Sequence, residues 1–172
     1  LLLRLEEGQL DFALIALPYD TANLLVEPLF DDNLWIVGRK GDPEVKARKV
    51  LVAASMSDRL LLLEEGHCLR DHALYACGAS IRRSWEGVEA NSLLTLVQMV
   101  ETGLGIALVP EMAVKSGLTE SPNLVARPLA KPSQKRTIAL VARRSTSRLA
   151  DLKALAEVVR RGNASGARVT KS

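Results

Sequence analysis

The stretch from residue 92 to residue 110 constrains this chain more than any other. Leu93, Leu96, Val97 and Val100 recur at i, i+3, i+4 and i+7, one face of a helix, and Leu104 continues the series. Ser92 supplies a side-chain acceptor where such a helix would start, and Gly103 stands where a left-handed residue would end it. Residues 105–109 then form a short apolar run closed by Pro110, which reads as a buried strand. A capped amphipathic helix that feeds directly into a buried strand needs a sheet to lie on.

The same alternation recurs along the chain. Gly8 ends a helical pattern, and residues 11–17 follow as an almost wholly apolar run stopped by Pro18. Such a run fits a strand covered on both faces, as in a parallel sheet. Further strands are expected at 24–30 and 34–37, separated by the polar Asp31-Asp32-Asn33 step, and at 60–63 and 137–142, while 85–90 fits an extended segment. Gly41-Asp42-Pro43 reads as a turn. A second helix is expected from about Cys68 to Cys77, after Gly66. A last amphipathic helix carries Leu149, Leu152, Leu155 and Val159, with the final ten residues frayed. Strands alternating with helices predict an α/β fold with a mainly parallel sheet.

With 172 residues, 48% hydrophobic and 25% charged, the chain can build one compact domain or two small lobes. That composition also argues against disorder. Leu60–Leu63, the longest uniform apolar run, is far short of the roughly 20 residues that cross a bilayer. No membrane association is expected. The opening Leu-Leu-Leu-Arg-Leu-Glu-Glu lacks the basic region and cleavage site of a secretion signal. It reads as the middle of a helix, so the chain is expected to be a cytoplasmic piece of a longer protein. The net charge of +3 hides an asymmetry: residues 1–130 hold 12 Lys and Arg against 18 Asp and Glu, whereas 131–172 hold 11 against 2. A basic end of this kind could meet nucleic acid or an acidic partner. Its charges alternate with an apolar stripe and no aromatic side chains interleave them, so a solvated helix face is the preferred reading.

The chain has two cysteines, Cys68 and Cys77, accompanied only by His67 and His72 and without a CxxC spacing, so no metal site or cofactor is expected. Spacing alone favours two buried structural thiols, reduced in a cytosolic setting. In one continuous helix, however, the nine-residue separation would hold the two about 13 Å apart on roughly opposite faces. A disulfide needs Cα atoms about 5.5 Å apart. If the two bond, the segment between them has to unwind, and a covalent bond would then select a conformation that the reduced chain rarely visits. The local settings differ. Cys68 lies near the start of its helix, where unpaired N–H groups favour negative charge, and His67 and Arg70 add positive potential while Asp71 could orient Arg70. Cys77 is bordered by Ala76 and Gly78 with no charge nearby.

Three segments together resemble the effector-sensing regulatory domain of the LysR-type transcriptional regulators. They are Leu5-Glu6-Glu7-Gly8-Gln9-Leu10-Asp11-Phe12-Ala13-Leu14-Ile15; Ser92-Leu93-Leu94-Thr95-Leu96 through Met99-Val100 to Gly103-Leu104-Gly105-Ile106-Ala107-Leu108-Val109-Pro110; and Gly66-His67-Cys68-Leu69-Arg70-Asp71 followed by Cys77. The last is similar to the element that marks the OxyR-type hydrogen peroxide sensors within that family. The resemblance implies two Rossmann-like lobes of the periplasmic-binding-protein kind. Residues 1–30 and 137–172 would form part of the first lobe, and 31–136 the second. It further implies promoter DNA read by a winged helix-turn-helix upstream of this chain, RNA polymerase as a partner, and assembly into dimers and tetramers.

For the site, the resemblance implies that peroxide oxidises Cys68 and that Cys77 resolves the product as a reversible Cys68–Cys77 disulfide. His67, Arg70 and Asp71 would support the reaction. A pocket arginine before the late strand would correspond to Arg136, in Lys135-Arg136-Thr137-Ile138, and Arg136→Ala is expected to slow oxidation in a chain that still folds. Residues 81–89 depart from the sensors' pattern, and Gly87 and Val88 offer no donor there. Competing readings are a LysR-type domain that binds a small metabolite in the cleft between lobes, a thiol peroxidase that turns over, and a periplasmic solute-binding domain. The leading one is a regulator and not an enzyme.

Overall fold

A computed structural model describes residues 1–52, 54–78, 87–130 and 135–169, with backbone only at 54, 55, 57 and 164–169. The chain divides into two compact units, Leu1–Asp32 with Arg136–Ser172, and Asn33–Lys135.

The first unit contains α1 (Leu2–Glu6), β1 (Phe12–Leu17), the first part of β2 (Leu24–Arg39), β7 (Lys135–Arg143) and α5 (Leu149–Val169). Its strands follow the order β1-β7-β2. β1 runs antiparallel to β7, from Phe12 opposite Ala142 to Leu17 opposite Thr137. Leu5, Ala13, Ile15, Leu24 and Val141 form its core. Three expectations are corrected here. β1 is not covered on both faces, since Leu14 is 49% exposed. On α5, Leu152 and Ala156 are buried and Val159 is half-buried, whereas Leu149 and Leu155 are exposed. The buried stripe therefore steps i, i+4, i+7 from Leu152, and a small alanine supplies the contact that a leucine was expected to make. The helix also persists to Val169 rather than fraying over the last ten residues.

The second unit holds the rest of β2 with β3 (Leu60–Leu63), α2 (Cys68–Cys77), β4 (Glu89–Ala90), α3 (Leu93–Thr102), β5 (Ile106–Pro110), α4 (Glu111–Lys115) and β6 (Leu124–Pro128). Strand order is β2-β5-β3-β4, with β6 also on β2. β3 pairs in parallel with both β4 and β5, while β2 is antiparallel to β5 and β6. The sheet is thus mixed, not mainly parallel. The parallel strands are those linked through α2 and α3, because a crossover helix returns the chain to the same end of the sheet. Of the expected extended segment at 85–90, residues 89–90 form β4, and 85–86 lie outside the described residues.

β2 was expected as two strands, yet it is continuous over 16 residues. The polar step does not break it because each side chain there has a partner. Thr137 Oγ1 donates to Asp31 Oδ1 at 2.9 Å, Arg136 bonds Asp32, and Asn33 Nδ2 donates to Glu111 Oε2 at 2.9 Å.

α3 follows its sequence pattern closely. Ser92 Oγ accepts the Thr95 N–H at 3.1 Å, Gly103 adopts φ 90°, ψ 13°, and Leu96, Val97 and Val100 are buried. Leu104, the continuation of the stripe, lies beyond the helix end and is 62% exposed. At the next residue the backbone passes another strand closely. A Cβ built on Gly105 would stand 2.2 Å from the Arg59 carbonyl oxygen and 3.0 Å from Leu61 Cγ.

Candidate functional site

The site is assembled on α2 and the strands beneath it. All four residues of β3 are buried, and the chain leaves that strand through Glu64 and Glu65 to Gly66, whose φ of 91° favours glycine. His67 then occupies the N-cap position in an extended conformation, exposed, without a side-chain capping bond. Cys68 is the first helical residue and Cys77 the last. Both thiols are free and half-buried. Leu69, Ala73 and Leu74 are the buried residues of the helix, and the Cys77 side chain packs against the same core. Ten helical residues hold the two cysteines about 13 Å apart along the axis, more than twice the roughly 5.5 Å usual in a disulfide.

The electrostatics differ between the two ends. Burial pushes the Cys77 thiol up to about 11, because loss of water penalises the thiolate. At the other end Asp71 sits exposed in the first turn. Arg70 is directed back across the sheet: its Nη1 donates to the Leu63 carbonyl at 2.9 Å and to Glu89 Oε1 at 2.5 Å. Leu63 closes β3 and Glu89 opens β4, two strands that pair in parallel with Leu62 opposite Glu89. Sequence reasoning assigned Glu89 no role. A carboxylate 19 residues from its arginine leaves no local signal; only the strand pairing brings it there.

Arg136 is placed in the first unit as one half of a buried ion pair. It is 8% exposed, Asp32 is 3% exposed, and its Nε and Nη2 reach Asp32 Oδ2 at 3.0 and 2.9 Å. Removing one member of such a pair costs about 3–5 kcal/mol. The expectation that Arg136→Ala leaves folding undisturbed is therefore withdrawn. Among the described residues, no group of three or more His, Cys, Asp or Glu is placed to hold a metal ion, and no helix is long and apolar enough to cross a membrane.

A mixed sheet with helices, a capped helix running into a buried strand and a cysteine at each end of a short helix match a known class. The profile of the LysR substrate binding domain covers residues 1–164, and the chain belongs to that family. Within it, the chain is similar to the OxyR group. The reduced form of the OxyR regulatory domain from Pseudomonas aeruginosa matches with a TM-score of 0.78 and 35% identity, covering 91% of this chain and 76% of that one. A probable hydrogen peroxide-inducible genes activator of Mycobacterium avium is 42% identical over 149 residues, 86% of this chain and 48% of the relative. The HTH-type transcriptional regulator EstR of Acinetobacter baylyi is 38% identical over 159 residues, 92% of this chain and 52% of EstR. The chain spans about half the length of these two regulators.

Proposed function

We propose that this chain is the sensory part of a cytoplasmic LysR-type regulator that responds to hydrogen peroxide through a reversible Cys68–Cys77 disulfide. The observation that carries this reading is the placement of two free thiols at opposite ends of one helix, in a chain similar to OxyR regulatory domains. In the first step the Cys68 thiolate attacks one peroxide oxygen. An S–O bond forms, the O–O bond breaks, and hydroxide leaves and is protonated to water. Sulfur loses two electrons and peroxide gains them. In the second step Cys77 attacks the Cys68 sulfur. The S–S bond forms, the S–O bond breaks, and hydroxide departs with the Cys77 proton as a second water. His67 and Asp71, which flank Cys68 in the sequence, support the first step, while the Arg70 guanidinium is engaged on the Leu63 carbonyl and Glu89. The second step cannot occur within an intact α2, because the helix holds the two thiols too far apart. Oxidation is therefore coupled to unwinding, and the regulator's output follows that change. Promoter DNA is read by an upstream winged helix-turn-helix, with RNA polymerase contacts and dimer or tetramer assembly as the family resemblance implies.

Peptide mapping under non-reducing conditions tests the reading. A low molar excess of peroxide should link Cys68 to Cys77 in the parent. Cys68→Ser should abolish the response, and Cys77→Ser should stop at a sulfenic acid that dimedone traps. A peroxidase needs repeated fast reduction of its disulfide, so fast, sustained peroxide consumption in the presence of thiol reductant would favour a peroxidase over a sensor. The family's description as a substrate binding domain favours a second reading in which the chain senses a small metabolite. Both thiols remaining free under peroxide would install that reading.

A further inference from the structure

We infer that Glu89 is a positioning residue that sets how readily the disulfide closes, by latching Arg70 in the helical form of α2. The inference rests on the disulfide reading above and deepens it. Arg70 is the third residue of α2, and one nitrogen of its guanidinium is shared between the carbonyl that ends β3 and the carboxylate that begins β4. The arginine side chain is 14% exposed and the glutamate 36%, so water screens the pair only in part. β4 is itself anchored to β3, with the Leu62 N–H on the Val88 carbonyl and the Glu64 N–H on the Ala90 carbonyl. Glu89 is thus held by the sheet and not by the helix. Closing the disulfide draws Cys68 about 7.5 Å toward Cys77, taking the helical separation of about 13 Å against about 5.5 Å in a disulfide. That displacement carries the first turn, and Arg70 with it, off the sheet edge. The Arg70–Glu89 and Arg70–Leu63 bonds exist only before closure, so the latch stabilises the dithiol and its sulfenic acid against the disulfide. The first chemical step involves neither Glu89 nor any movement of the helix.

The two steps are therefore separable by experiment. In the full chain, Glu89→Gln keeps the size of the side chain and removes its charge, and Glu89→Asp keeps the charge. Quenched-flow mixing with peroxide, with dimedone trapping of the sulfenic acid and non-reducing mass analysis of the disulfide, reads both rates. Sulfenic acid formation at Cys68 should stay within about twofold of the parent in Glu89→Gln. Disulfide closure should rise about threefold to fivefold, the range of a partly screened charged pair. Equilibration with a dithiothreitol couple should shift by a similar factor toward the disulfide, and Glu89→Asp should return both values toward the parent. A merely structural loss would lower the unfolding midpoint without splitting the two steps. Closure unchanged within twofold in Glu89→Gln, with the parent disulfide still forming, overturns the latch and leaves the sensing reading intact. Absence of any disulfide in the parent overturns both.

Discussion

α2 and α3 are both ten residues long, both belong to the second unit, and each buries three residues. Their ends differ. α3 begins on Ser92, whose hydroxyl accepts the Thr95 N–H, and ends on Gly103 in the left-handed conformation, with the Gly103 and Leu104 N–H groups returned to Val100 and Met99 carbonyls. α2 begins on His67, which makes no side-chain capping bond. It ends on Gly78 at φ 99°, ψ 165°, outside the left-handed region, and among the described residues its return bond is the Gly78 N–H to the Tyr75 carbonyl. On the disulfide reading proposed above, this unequal capping of equally buried helices makes α2 the one expected to come apart. Its packing and the Arg70 bonds would then be surrendered together as the first turn lifts.

That contrast is broken first by cavities. Leu96→Ala in α3 should lower the unfolding free energy by about 2–5 kcal/mol, equally in reduced and oxidised protein. Leu74→Ala in α2 should cost a comparable amount in the reduced protein and much less in the oxidised one. Urea unfolding with and without dithiothreitol reads the difference. Equal costs for Leu74→Ala in both states would mean that α2 survives oxidation.

A smaller effect comes from the protonation of Cys77. Its thiol titrates near 11 in the folded chain against an ordinary value of 9.0. Below pH 9 both folded and unfolded chains keep the proton. Between about 9 and 11 the unfolded chain releases it and the folded chain does not, so stability falls as pH rises through that window. The partly solvated site discounts the loss to about 1–2 kcal/mol. Under reductant, Cys77→Ala should flatten the stability profile over that range, and an unchanged slope would place the thiol in water.

The smallest expected effect concerns the cap. Ser92→Ala should cost about 1 kcal/mol and leave both oxidation rates as they were. Faster disulfide closure in that variant would show that the two helices are coupled and not independent.

Sequence periodicity made α3 legible because burial, cap and glycine all report on the same ten residues. The bounds of α2 were legible for a similar reason, since Gly66 and Gly78 flank it. The continuity of β2 was not. Its polar step looked like a break because the partners of Asp31 and Asp32 lie more than 100 residues away. The same distance concealed the partner of Arg136, which was expected as a pocket arginine and is paired with Asp32. Glu89 shows the limit most clearly: its meaning comes from the register of two strands, and no local pattern encodes register across a crossover.

The contact beneath Gly105 has a consequence for how this sequence can change. A side chain of any size would strike the Arg59 backbone, and a backbone cannot rotate aside as the end of a lysine can. Residue 105 therefore has one admissible letter, imposed by space alone. Saturation mutagenesis selected for folded protein should return glycine there and little else, while Gly41, which has no atom within 4 Å of a built Cβ, has room for a side chain and is limited by its φ of 93°. Two glycines that look alike on paper thus carry different kinds of information, one recording a collision and the other a turn of the backbone.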